Sequence, residues 1–324
     1  QMIEHQIPKG YEGKGGIRAA VLAKSIANDI TITTFLIDFP RFILAELNTH
    51  RAISKNGASS RAIPVAQQIE RVQTNPVVPI HFGLNQAGMS ADTEVDENTK
   101  SKGVYEWLFN ANRSVVGAQI LQGMGVHKQV VNRIMEPYSF MRMVVTATEW
   151  DNFFWLRLHK DADPHIAELA RVMLHAYQKT RAAPLDESCW HTPFFGNGYW
   201  TADVEYHSGI TAQQAIEHSM SCCAQTSYRK LDMSTEKTEA IVERLFNGER
   251  CHASPSEHIA KPIEFTHCEP FTEATHIDSS NNLWSNNFKG WHQYRQRISN
   301  NVCTSFDFNT PLDTSDIKSG IDMV

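Results

Sequence analysis

Thr49-His50-Arg51-Ala52-Ile53-Ser54-Lys55-Asn56-Gly57-Ala58-Ser59-Ser60-Arg61 is the stretch around which the rest of the chain is organised. It gathers arginine, histidine, serine and asparagine side chains into a surplus of anion-binding donors, with Gly57 adding backbone freedom. An apolar run, Phe39-Pro40-Arg41-Phe42-Ile43-Leu44-Ala45, precedes it, and Pro40 suits a first helical turn. Ile63-Pro64 opens the next segment. These flanks predict a binding loop between a helix at 40–49 and another from Pro64 to about Gln73. A solvated inter-helix connector would have the same composition, so the remainder of the chain has to decide between the two.

Upstream, residues 17–26 and 30–38 are two apolar, β-branched runs separated by Asn28-Asp29, a turn signal, and predict a hairpin. Downstream, residues 74–95 have no periodicity and predict a long loop. Helical spacing from about 101 to 135 is broken at Gly123-Met124-Gly125, predicting two helices meeting at a corner, the second stopped by Pro137. Residues 140–148 read as a strand, 149–158 as a helix, and Asp163-Pro164 caps a helix from His165 to about Thr180. Residues 183–210 read as a connection, 211–224 and 234–247 as helices, and the tail from Asp307 is polar.

The 324 residues with 41% hydrophobic content suffice for a globular core, and the formal charge of −6 gives no sequence-wide reason to hold nucleic acid. A phosphate ligand would have to be met by a local basic cluster, which favours a small anion. No apolar run approaches membrane-spanning length, and Gln1 to His5 lack a secretory pattern. The expected location is the cytoplasm, with no membrane partner.

Six cysteines lie scattered without a C-x-x-C pair, which reads as reduced thiols. Cys251, His252 and His258 match no four-ligand zinc spacing, so no metal is expected, and His258 reads as a structural histidine. No thiol sits in a motif that would depress its pKa. Taken alone, Arg133 and Arg157 are surface charges. Neither G-x-x-x-x-G-K-[ST] nor G-x-G-x-x-G occurs, so a nucleotide would need another scaffold.

The opening stretch resembles the signature of the flavin-dependent thymidylate synthases, the ThyX family: R-H-R-x-x-S-x-N-E-x-S-x-R. His50, Arg51, Ser54, Asn56, Ser59 and Arg61 match, while Thr49 replaces the first arginine and Gly57 the glutamate. Arg133-Ile134-Met135-Glu136-Pro137 is similar to the family's Arg-led segment, and Asn152-Phe153-Phe154-Trp155-Leu156-Arg157 to its N-F-x-x-L-R stretch. Ser227-Tyr228 and His252-Ala253-Ser254-Pro255-Ser256-Glu257-His258 resemble segments that in the family precede the signature, yet here they follow it. A circular permutation explains that order. Phe288 to Arg297 resembles a second copy of the apolar helix leading into the signature.

The resemblance implies an α+β, ThyX-like fold with an antiparallel sheet and packed helices. It would form a single domain over 1–324, with the signature loop and nucleotide core in 15–182 and the permuted flavin segment in 211–300. It implies bound FAD, with NADPH and methylenetetrahydrofolate as co-substrates, reductive methylation of dUMP to dTMP, and a homotetramer of phage-like type. By position, His50, Arg51, Asn56, Ser227, His252, Ser254 and Glu257 would contact FAD. Ser59, Ser60 and Arg61, assisted by Arg133, would hold the dUMP phosphate, and Arg157 would face the uracil edge, where Ser59 and Arg61 join it as the catalytic set. Glu46 stands at a substrate position usually held by Gln, and Thr146 and Thr148 stand where Asn and Arg usually approach the flavin. Arg295 or Arg297 is expected to replace the charge missing at Thr49. The departures at Gly57 and Glu46 keep open a flavin-dependent dUMP hydroxymethylase or related 5-substituted pyrimidine nucleotide synthase, and a separate alternative is an inactive nucleotide-binding protein.

Overall fold

The computed structural model describes residues 8–226, 231–247, 250–264 and 273–317. A short strand β1 (Tyr11–Glu12) leads into the hairpin β2 (Arg18–Ala27) and β3 (Ile30–Pro40). The hairpin turns at Asn28 and Asp29, with φ of 48° and 61°, the left-handed pair that a tight two-residue turn requires and that Asn and Asp tolerate. After a 3-10 turn at 41–43 come α1 (Leu44–Asn48) and then β4 (Ser54–Gly57). The quoted stretch is therefore not only the inter-helix loop that its polarity suggests, because its middle is a strand. The ladder pairs Ser54 with Thr146, Lys55 with Val145, Asn56 with Val144 and Gly57 with Met143.

Next come α2 (Val65–Thr74), the long irregular segment expected at 74–95, and α3 (Glu97–Gly123), whose first turn is capped by Asp96. The helical corner lies where Gly123-Met124-Gly125 places it, but the second helix is only α4 (Lys128–Val131), continued as 3-10 turns through 132–138. Pro137 sits inside those turns rather than ending a long helix. Then follow β5 (Phe140–Ala147), α5 (Asp151–Arg157) and α6 (Pro164–Lys179), the last capped by Asp163.

These strands form one sheet in the order β1-β2-β3-β5-β4, antiparallel throughout, with β6 (Ala183–Pro184) added parallel to β2. Strand alternation divides its residues between two buried faces. Val21, Phe35, Ile37, Met143 and Val145 pack against Ile166, Leu169 and Met173 of α6. Leu22, Leu36 and Val144 face Phe194, Cys222 and Cys223.

Residues 183–210, expected to be a plain connection, carry β6, β7 (Trp190–His191), β8 (Tyr199–Trp200) and α7 (Ala202–Ser208). Two-residue strands are too short to show a period, which explains the misreading. Helices α8 (Ala212–Ala224) and α9 (Thr235–Phe246) match expectation, α8 with a full capping box from Thr211 and Gln214. A 3-10 turn at 254–258 precedes β9 (Ala260–Pro262). A small sheet of β10 (His276–Ile277), β11 (Leu283–Ser285) and β12 (Phe288–Lys289) follows, and then β13 (Trp291–Gln293), which completes the sheet β13-β9-β7-β8.

The helix copy expected at 288–297 is absent. Gly290 breaks the segment with φ +68°, and a Cβ there would approach Ile30 Cδ1 to 2.5 Å. Phe288 and Trp291, both fully buried, belong to a second core with Ile32 and Leu185, and Trp291 Nε1 donates to the Ile30 carbonyl at 3.1 Å. Only residues 294–297 make a helical turn, of 3-10 type. Burial of Phe288 and Trp291 on the two short strands either side of Gly290 decides the segment in favour of strand.

Among the described residues no helix is long and apolar enough to cross a membrane.

Candidate functional site

β4 and its two flanks touch three clusters. The first lies at the C-terminus of α1. Arg157, at the end of α5, donates from Nε to His50 Nε2 at 2.8 Å and from Nη2 to Thr49 Oγ1 at 3.0 Å and the Glu46 carbonyl at 3.3 Å. Its Nη1 makes no hydrogen bond among the described residues. The guanidinium beside Thr49 is thus that of Arg157. Burial, then the charges of Arg157 and Lys55, lower the His50 pKa to about 4, so the imidazole is neutral and acceptor-ready. Lys55 donates to the His50 and Ile53 carbonyls at 2.5 and 3.0 Å, and burial lowers its pKa to about 8 against the opposing charge of Glu257. Glu46 Oε2 is buried without a hydrogen-bond partner.

The second cluster joins β4 to the 254–258 turn. Asn56 Nδ2 donates to the Cys223 carbonyl at 2.6 Å, and its Oδ1 accepts from Ser254 Oγ at 3.2 Å across 198 residues of sequence. Glu257 is ion-paired with Arg295, which also donates to the Asn301 carbonyl at 2.8 Å. Gln293 donates to the Glu257 carbonyl and to Ser54 Oγ, both at 3.3 Å, and to Asn287 Oδ1 at 3.0 Å. His252 and Arg51 are exposed. Ser227 lies outside the described residues.

The third cluster follows β4. Ser60, 2% exposed, donates to Glu136 Oε1 at 2.5 Å, and Arg133 Nη1 and Arg41 Nε stand 3.1 and 3.5 Å from the same oxygen. Asn132 Nδ2 fastens this turn by donating to the carbonyls of Ser60 and Ile63 at 2.7 and 2.9 Å. Arg61, on the same 3-10 turn as Ser60, is exposed, and Ser59 immediately precedes that turn.

Beneath β4 runs a buried polar chain. Ser25 Oγ bonds His191 Nδ1, His191 Nε2 bonds Thr34 Oγ1, Thr34 Oγ1 bonds Thr146 Oγ1, and Thr146 Oγ1 bonds His258 Nδ1, each at 2.8 Å. All five side chains are fully buried, and burial lowers both imidazole pKa values to about 3. His258 is the structural histidine that the sequence suggested, and Thr146 serves this chain. Thr148 Oγ1 accepts from the Lys289 amide at 2.9 Å.

Sequence reasoning named His50, Asn56, Ser60, Arg133, Arg157, Ser254, Glu257 and Arg295, and the three clusters contain all of them. It overlooked Arg41, Lys55, Asn132 and Gln293 as parts of the clusters. Glu136 carried a signal, standing three residues after Arg133 in a spacing that suits a helical ion pair. Burial raises the Cys222 thiol to about 12 and the Cys223 thiol well above its ordinary value, so neither presents a thiolate. A cleft of about 360 Å³ near α2 shares no residue with the three clusters, and its Arg142 is held bidentately by Asp38 at 2.8 and 2.7 Å.

No curated protein matches the chain. Among solved structures it is similar to a UMP/dUMP methylase, PolB, from Streptomyces cacaoi bound with 5-Br dUMP: identity 18%, 46% of this chain and 67% of that one covered, TM-score 0.38. The same protein with 5-Br UMP gives 16% identity, 46% and 72% coverage and a TM-score of 0.36. Thymidylate Synthase X from Helicobacter pylori with FAD and dUMP gives 17%, 45% and 67%, and 0.30. The model of the family described as thymidylate synthase complementing protein matches residues 24–184, a span that runs from within β2 to β6 and contains the whole quoted stretch, Arg133 and Arg157. By that match the segment 24–184, just under half of the chain, belongs to the thymidylate synthase complementing protein family, ThyX.

Proposed function

We propose that the protein is a flavin-dependent thymidylate synthase that methylates dUMP to dTMP with methylenetetrahydrofolate and NADPH. The observation that carries this reading is the Ser254 to Asn56 hydrogen bond, which joins the H-x-S-P-x-E-H segment to the signature strand. It is also what a circular permutation requires, since segments reversed in sequence order must still meet in space.

The donor set fits an anionic dinucleotide. Ser254 bonds Asn56, Arg51 and His252 are exposed, and Arg51 makes no ion pair among the described residues. With Ser227 and His50 they would hold FAD, which when bound supplies the hydride. Ser59, Ser60, Arg61 and Arg133 would take the dUMP phosphate. Arg157 uses Nε and Nη2 on the protein and would keep Nη1 for a uracil oxygen. A fixed guanidinium there stabilises negative charge on the ring oxygen more strongly as C5 becomes the nucleophile. The exposed row Tyr105, Phe109, Val116 and Ile120 on α3 supports assembly into a homotetramer.

Incubating the protein with dUMP, methylenetetrahydrofolate, FAD and NADPH and weighing the nucleotide product tests the reading. Mass equal to dTMP is expected. A hydroxymethyl product would replace the methylation reading by the hydroxylating one, and a colourless protein that binds no FAD would overturn both.

A further inference from the structure

Glu136 occupies the centre of the third cluster, and nothing above gives it a role. Three donors from three separate turns converge on its Oε1: the buried Ser60 hydroxyl at 2.5 Å, Arg133 at 3.1 Å and Arg41 at 3.5 Å. Hydroxyl and guanidinium donors meeting at one oxygen form the arrangement that an oxyanion of a phosphate monoester seeks. Two of the three donors are held in place independently of Glu136. Asn132 ties the Ser60 turn at two carbonyls, and Arg41 Nη1 donates to the Ala58 carbonyl at 3.4 Å. Arg61 adds a further guanidinium on the Ser60 turn.

We propose that Glu136 sets the specificity of this cradle by filling it with its own carboxylate, so that only a ligand carrying a phosphate dianion displaces it. This rests on the reading of Ser60, Arg61 and Arg133 as the nucleotide phosphate site. A carboxylate carries one charge and a phosphate monoester close to two at neutral pH, so the exchange favours the phosphate, while nucleosides and singly charged anions gain nothing by competing. The cost of displacing Glu136 is subtracted from nucleotide affinity, and removing its charge should return it.

Calorimetric titration of the full-length protein with dUMP, inorganic phosphate and deoxyuridine, in wild type and Glu136→Gln, tests this. The variant should bind both dUMP and inorganic phosphate about fivefold more tightly, as expected for removing one nearby like charge at a partly buried site, and deoxyuridine no better than wild type. Unchanged or weaker phosphate binding overturns the proposal, since a carboxylate that merely braced Arg41 and Arg133 would weaken the site when lost. If the Gln variant unfolds, Glu136→Asp, which withdraws the carboxylate by one methylene, should show the same tightening. Should inorganic phosphate respond as stated while no protein binds dUMP, the nucleotide reading fails and the cradle stands.

Discussion

Arg157 donates to His50 Nε2 at 2.8 Å, which obliges the imidazole to present a lone pair there and to carry any proton on Nδ1. A guanidinium and a histidine placed together are usually a repulsive pair when the histidine is charged. Here the histidine pKa of about 4 removes the conflict. Arg157→Ala should lose the contacts to His50, Thr49 and Glu46 together, and product formation should fall on the order of 100-fold, as for loss of one preorganised donor. Steady-state kinetics measures this, and Arg157→Lys, unable to make the forked contact, should recover little of it.

Acid should destabilise the protein earlier than its carboxylates alone would. His50, His191 and His258 have an ordinary value of 6.5 and are held by burial to about 4, 3 and 3. Between those values the unfolded chain binds protons that the native chain does not. The contribution of neutral histidines is therefore complete above 6.5 and is lost as pH falls toward 3. Urea midpoints should decline steadily from about pH 6.5 to about pH 3, and replacing His191 by Gln should flatten part of that slope.

Thr146→Val keeps the shape of the side chain and removes the hydroxyl that joins Thr34 to His258. His258 Nε2 is already without a partner, so the variant leaves a fully buried imidazole with no hydrogen bond at all. A loss of about 1–3 kcal/mol is expected from equilibrium unfolding.

Gly57 should tolerate a small side chain. A Cβ there would meet Met141 Cε at 2.5 Å and Met143 Cε at 2.8 Å, both the free ends of flexible thioethers. Gly57→Ala is expected to cost less than about 1.5 kcal/mol. A larger loss in thermal unfolding would show that the two methionines cannot swing aside.

Arg295→Ala should weaken FAD retention, because it leaves Glu257 unpaired beside the strand that carries Asn56. Arg297, bonded to Glu273 at 3.0 Å, should matter less. Absorbance of the purified protein near the flavin bands reads both, and full retention in each variant would dismiss Arg295 from the flavin site.

The sequence was most legible where local chemistry and tertiary context agree. Asn28-Asp29 announced the hairpin turn, Asp163-Pro164 announced α6, and the helix read over 211–224 is α8. It was least legible where a segment's structure comes from a distant partner. The strand β4 exists because β5, some ninety residues later, supplies the ladder, and nothing in Ser54-Lys55-Asn56-Gly57 alternates in polarity. The 288–297 segment was expected to be helical because it resembles the helix that leads into the signature, yet the pocket that buries Trp291 is built by Ile32 and Leu185. The residues of the signature were recognisable individually, whereas the convergence of Arg41, Arg133 and Ser60 on Glu136 was not.

Because β4 is pleated, its four residues are sorted by parity. Asn56 is turned toward the Cys223 carbonyl, and Gly57 toward Met141 and Met143 on the opposite side of the sheet. Insertion or deletion of a single residue between Ser54 and Gly57 would exchange these two sides, sending the amide into an oily layer and the bare glycine to the place of the amide. The strand is therefore protected by its count as much as by its letters, and homologues that vary freely in composition here should still keep its length.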